Sequence, residues 1–214
     1  MLQELSPGIH MWDSKDLYRY RAFALVADGE VVLIDPVRLN ADEEAQIRAL
    51  GTVTAILVAW GDMHERDSAK VSKRFGAPVY AHPDAVLDCE SKDVLPFPDV
   101  LPMGIEALPA TGGGRGHVAF YLERDGGTLY ACDTWMNFDL GKEFFPIRWV
   151  MKTFYHQRDG LNLMPPHEVT DMDAWMASSR AMLNRPIERL LVSHGDCILS
   201  GARDLMLERR AKGP

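Results

Sequence analysis

Ile56-Leu57-Val58-Ala59-Trp60-Gly61-Asp62-Met63-His64-Glu65-Arg66-Asp67 decides how this chain is read. An apolar run ends abruptly in Asp62, His64, Glu65 and Asp67, then passes into the helix-forming Ser68-Ala69-Lys70-Val71-Ser72-Lys73-Arg74-Phe75-Gly76. A continuous apolar run fits a strand covered on both faces, and ligands commonly bind beyond the carboxyl ends of such strands. Carboxylates and an imidazole at that place make a site candidate. The plainer reading is a strand-to-helix loop whose acids favour the helix N-terminus.

Working outward, Ile9 to Trp12, Ala22 to Ala27 and Val31 to Asp35 read as strands, and Asp28-Gly29 between the last two is a hairpin signal. Pro36 ends the third strand. Asn40 as N-cap with Glu43 at N3 opens a helix through Leu50, which Gly51 terminates. Thr54 to Ala59 is the next strand, Met63 to Phe75 its helix, and Val79 to Ala81 a short strand. Residues 83–103 carry four prolines and predict a short helix over 84–89 followed by a loop. Ile105 to Leu108, Val118 to Glu123 and Thr128 to Cys132 read as strands separated by Gly-rich turns. Residues 134–169 form a long connection with Trp135, Phe138, Phe144, Phe145, Trp149, Phe154 and Tyr155, together with Lys142, Arg148 and Lys152. Connections of that length serve as lids, binding loops or interfaces, so a homodimer through segment 138–165 and contact with a small-molecule substrate are both expected of it. Thr170 to Asp173 fits a capping box for a helix with Met172, Trp175, Ser179, Met182 and Leu183 on one face. Arg189 to Ser193 is a last strand and 200–211 a closing helix. The order is mixed α/β.

Composition narrows the function classes. With 47% apolar and 25% charged residues over 214 positions, the chain suits a globular domain with a substantial core. A formal charge of −8 argues against nucleic acid or an anionic membrane as principal partner. Cys89, Cys132 and Cys197 are sparse and odd in number, which suggests reducing cytoplasm rather than a disulfide framework. Met1 to Leu5 lacks the basic start and apolar region of a secretion signal, and no run reaches the ~18 apolar residues of a membrane span.

The same arrangement recurs at three strand ends: Asp62 and His64 after one apolar run, Asp133 after Leu129-Tyr130-Ala131-Cys132, and His194 after Leu190-Leu191-Val192-Ser193. Two imidazoles and two or three carboxylates suit zinc, or iron or manganese. Taken singly, each residue is more readily a structural histidine or a turn-forming aspartate. Together with Leu33-Ile34-Asp35-Pro36, Arg115-Gly116-His117-Val118-Ala119-Phe120-Tyr121, Cys132-Asp133-Thr134 and Ser193-His194-Gly195-Asp196, these segments resemble, in order, the metallo-β-lactamase fold superfamily over nearly the whole chain. The resemblance implies a single domain, 1–214, built as a four-layer αββα sandwich with a metal site at one edge. It places the family's bridging Asp on Asp133 and its last His ligand on His194.

The departures fall on the other ligands. The family's His-x-His-x-Asp-His signature lies on Trp60, Asp62, His64 and Glu65 when laid on without gaps, and its third histidine falls on Gly113. A one-residue insertion at Met63 makes Asp62 and His64 resemble a reduced Asp-His form instead. Trp60, Asp62 and Gly113 stand at the first metal position, which is thereby lost, with Trp60 in place to fill its volume. The resemblance therefore implies one divalent metal at most, with His64, Asp133 and His194 as ligands and Asp62 or Glu65 as fourth ligand or proton acceptor. Two functions follow: a hydrolase acting on an ester, thioester, amide or phosphoester, or a catalytically inactive binding protein. Iron-based oxygen chemistry is a third. His10, His82, His156 and His167 are expected to be structural, and the Gly-rich turn before His117 lacks the spacing and following helix of a phosphate-binding loop.

Overall fold

Strand pairing changes from antiparallel to parallel along the first half of the chain, and the connections explain the change. The computed structural model describes residues 1–15, 20–142 and 145–212, with Asp62 described by its backbone alone. Contacts divide the chain into two compact units, Met1–Glu106 with Arg115–Val118, and Ala107–Gly114 with Ala119–Pro214.

In the first unit β1 (Gln3–Ser6), β2 (Ile9–Asp13), β3 (Arg21–Ala27) and β4 (Glu30–Ile34) pair antiparallel in sequence order. Beyond β4 the connections are helical. They are long enough to return the chain to the same edge, so β5 (Thr52–Val58), β6 (Val79–Ala81) and β7 (Val94–Pro96) add in parallel. Ala55 to Val58 are all fully buried, as a continuous apolar run requires of a strand with both faces covered. Trp12, Leu33, Ile47, Ile56, Val58 and Val71 are among the residues of this unit's core.

Helix α1 (Ala41–Leu50) starts where its sequence says it should. Asn40 Oδ1 accepts from Glu43 N–H at 2.9 Å, and Glu43 Oε2 accepts from Asn40 N–H at 2.9 Å. The helix expected over Met63–Phe75 is instead two pieces, α2 (Gly61–His64) and α3 (Ser68–Phe75), with Arg66 between them at φ +45°. The break has a cause outside the segment. Glu65 is buried and accepts from the N–H groups of Glu90 and Ser91, and Arg66 lays its guanidinium 3.0 Å from the Tyr20 ring centroid. The short helix expected over 84–89 is α4 (Pro83–Val86).

In the second unit the four-stranded sheet has β8 (Glu106–Pro109) and β13 (Arg189–Leu191) at its edges, with β9 (Val118–Leu122) and β10 (Thr128–Tyr130) inside, in the order β13-β10-β9-β8. The connection 134–169 is not structureless. It holds a hairpin-like pair, β11 (Trp135–Phe138) and β12 (Gly160–Leu163), around α5 (Phe145–Thr153). Phe145, Trp149 and Phe154 are exposed there, while Phe144 lies outside the described residues. Helix α6 (Met172–Met182) is capped by Asp171, whose side chain accepts from Ala174 N–H, and it buries Trp175, Ser179 and Met182. Helix α7 (Ala202–Ala211) closes the chain. Gly112 explains part of the Gly-rich run: a Cβ there would stand 2.2 Å from the carbonyl oxygen of Asp171 at the start of α6. No helix among the described residues is long and apolar enough to cross a membrane.

The α1 cap gives a direct test. Asn40→Ala is expected to lower the unfolding free energy by about 1 kcal/mol in urea titrations. An unchanged midpoint would show that Glu43 and the N-terminal ammonium, 2.8 Å apart, hold the helix start without the Asn40 side chain.

Candidate functional site

Within the first unit, the acid at the end of β4 organises the strand ends. Asp35 is 1% exposed and sits at φ +45°, a left-handed conformation that aspartate tolerates better than most residues. Its N–H donates to Leu57 O at 3.0 Å, and its Oδ1 accepts from Ala59 N–H at 2.8 Å. Its Oδ2 lies 2.8 Å from Nδ1 of His64, itself 1% exposed. A carboxylate on one imidazole nitrogen favours the proton there and leaves Nε2 as the donor atom for a cation, the outer-shell arrangement usual around metal-binding histidines.

The ring of His64 is further confined. Trp60 lies nearly parallel to it, with centroids 6.5 Å apart, and stacks closely on His117 at 4.7 Å and 11°. Tyr20 presents an edge at 6.3 Å. Trp60 is thus packed among imidazoles, and its indole offers a hydrogen-bond donor but no lone pair to a metal. Glu65 has both carboxylate oxygens engaged by backbone, at 2.5 Å from Glu90 N and 2.9 Å from Ser91 N. The side chain of Asp62 lies outside the described residues.

The second unit brings Asp133 and His194 together through strand register. β10 and β13 pair in parallel with Tyr130 opposite Leu191, so the two strands end side by side, with Asp133 and His194 each three residues beyond that pair. Cys132, buried at φ +48°, turns the chain just before Asp133, and Thr134 N–H closes the turn on Ala131 O at 2.9 Å. A non-glycine residue held there costs energy, and such strain gathers at functional positions. Asp133 Oδ1 accepts a hydrogen bond from the Ser193 hydroxyl and lies 3.6 Å from His194 Nε2. The His194 backbone is fixed by β11: Asn137 N–H donates to His194 O, and Asp196 N–H returns to Asn137 O. Gly195 passes so close to Asn137 that a Cβ would overlap its carbonyl.

Two of these donors, both in the second unit, are spaced as ligands of one ion would be. Two ligands with bonds of ~2.0–2.2 Å in tetrahedral geometry stand about 3.4 Å apart, close to the 3.6 Å between His194 Nε2 and Asp133 Oδ1. That spacing is long for a hydrogen bond and natural for ligands that share an ion.

Asp35 and Glu168 were not among the site residues expected from the sequence. Asp35 carried a signal, since it follows the wholly apolar Val31–Ile34 directly. Glu168 carried none. Burial, and then the charge of Asp133, push its carboxyl above the ordinary 4.5, with His167 opposing.

No protein-family model matches the sequence, and no curated protein is similar enough to match. Solved structures do match. A chemotaxis sensor, ODP, whose structure holds a peroxy diiron species, superposes with a TM-score of 0.68 at 15% identity, covering 97% of this chain and 93% of its own. A metallo-β-lactamase from Pontibacter korlensis gives 0.64 at 16% identity, covering 97% and 98%. An archaeal metallo-β-lactamase superfamily protein from Sulfolobus tokodaii gives 0.62 at 13%, covering 96% and 85%. The chain therefore has the metallo-β-lactamase fold, an α/β architecture, in a sequence that has diverged far from these proteins.

Glu168 has a pH consequence. Its raised value means that the folded state keeps this proton longer than the unfolded chain does. The stability it contributes is present below pH 4.5 and lost as pH rises through the raised value. In thermal unfolding with a chelator present, Glu168→Gln should gain on the unmodified protein as pH climbs from 4 to neutrality. A difference between the two that does not change with pH contradicts this.

Proposed function

We propose that this protein is a metal-dependent hydrolase that holds one divalent cation, with Asp133 and His194 as ligands and His64 as the further ligand expected from the sequence resemblance. The observation that carries the proposal is the 3.6 Å separation of His194 Nε2 and Asp133 Oδ1 on adjacent parallel strand ends. The metallo-β-lactamase fold supports the reading, and so does Asp35, which holds His64 through Nδ1 and leaves Nε2 to ligate. The bound cation supplies Lewis acidity and lowers the pKa of water towards ~7.

The chain's own residues have distinct tasks in this reading. Asp35 Oδ2 keeps the proton on His64 Nδ1. The Ser193 hydroxyl orients Asp133, and the Asn137 backbone bonds fix the segment that bears His194. Glu65 stays with the Glu90–Ser91 turn, so Asp62 is the first candidate to accept a proton from the attacking water. Glu168, raised by burial beside Asp133, is the second. The substrate is a small ester, thioester, amide or phosphoester. Iron is the alternative to zinc, because the chemotaxis sensor with the same fold carries a diiron species. The exposed aromatics of α5 are proposed as the contact of a homodimer, which sedimentation of Trp149→Ser against the unmodified protein tests.

The second reading, a catalytically inactive binding protein, draws on Trp60, which stacks on His117 where the superfamily's first ligand is expected. Metal analysis of protein purified without added metal separates the two. The hydrolase reading expects about one equivalent, reduced several-fold in His64→Ala and His194→Ala. Substoichiometric metal left unchanged by both substitutions would favour the inactive reading.

A further inference from the structure

We infer that a separate pocket in the second unit binds a small organic anion with an apolar body. The pocket, about 180 Å³, lies between residues 155–166, the start of α6 and Arg209 of α7. That is well below the pockets of ~300–1,000 Å³ that take drug-sized ligands, so only a small ligand fits. Its walls divide by chemistry. Met172, Trp175 and Met176 of α6 face it with Pro165 and Pro166, whereas Arg158 and Arg209 supply two guanidinium groups. Among the described residues that line it there is no carboxylate.

The two arginines are held independently of any ligand. Arg209 Nε donates to Leu161 O at 3.0 Å. Arg158 stands on a turn clamped by buried Asn162, whose Oδ1 accepts from Arg158 N–H and whose Nδ2 donates to Arg158 O and Gly160 O. Burial, and then the charge of Arg158, push the Arg209 guanidinium below its ordinary value. Two guanidinium groups beside an apolar wall offer an anion paired donors next to a surface for its apolar body. Guanidinium forks match carboxylate and phosphate oxygens bidentately, and unbranched Met side chains adapt to an aliphatic tail. The shared ligand chemistry is an oxyanion on a short apolar chain. None of these residues belongs to the proposed metal set, so this site and that one can fail separately.

The test is an NMR titration of the isotope-labelled full chain with hexanoate, hexyl phosphate, hexanol and inorganic phosphate, run with EDTA and repeated with added zinc. Hexanoate or hexyl phosphate should saturate, moving the Arg209 Nε–H and the Met172 and Met176 methyl signals. The tighter of the two identifies the headgroup. Arg158 is exposed, so Arg158→Gln should fold normally and weaken that binding about five-fold or more. Hexanol and inorganic phosphate should each bind at least as much more weakly. Four results would overturn the inference: neither amphiphile saturates, Arg158→Gln binds as tightly, hexanol or phosphate matches them, or binding appears only when zinc is present.

Discussion

A carboxylate that is 1% exposed survives in a protein only if its charge is met on every side, and Asp35 meets that condition by joining three elements. Its backbone bonds to Leu57 on β5, its Oδ1 takes the Ala59 N–H just beyond that strand, and its Oδ2 faces His64 on α2. The parallel pairing of β4 with β5 makes this geometry available, because it sets two strand ends side by side. The position of His64 then follows from Asp35 rather than from its own helix, which is only four residues long. Removing His64 would leave the buried Asp35 carboxylate short of one partner, at a cost of roughly 1–3 kcal/mol.

The second unit repeats the principle with different residues. Parallel pairing of β10 with β13 ends the two strands side by side just before Asp133 and His194, the Ser193 hydroxyl tethers the carboxylate, and β11 holds the His194–Asp196 segment by backbone bonds. Asp35 and Cys132 both adopt positive φ at the ends of apolar strands. In each case the unusual backbone turns the chain at the end of its strand, and the residues beside it carry the candidate chemistry.

Most of the fold was legible because it is written locally. The apolar runs, the Asn40–Glu43 cap and the Asp28-Gly29 turn all carry their meaning within a few residues. What was illegible depended on distant partners. The break at Arg66 requires a carboxylate at Glu65 bonded to backbone 25 and 26 residues away. The pairing of β11 with β12 joins Trp135 to Leu163, and Trp135-Met136-Asn137-Phe138 shows no alternation that would announce a strand. The candidate residues Asp133 and His194 could be named from the sequence, but their 3.6 Å separation depends on a register that no local pattern encodes. Glu65 was legible as an acid and not as a structural one, since its backbone partners lie in a loop without period. Asp35 was visible as a strand-end acid, yet its role appears only when His64 is seen beside it.

A metal on His194 and Asp133 is the central claim, and anomalous diffraction from crystals grown in zinc tests it directly. A peak at the zinc edge is expected, with His194 Nε2 and an Asp133 oxygen both at ~2.0–2.2 Å. The absence of a peak at those two side chains, in crystals whose solvent holds millimolar zinc, would contradict it.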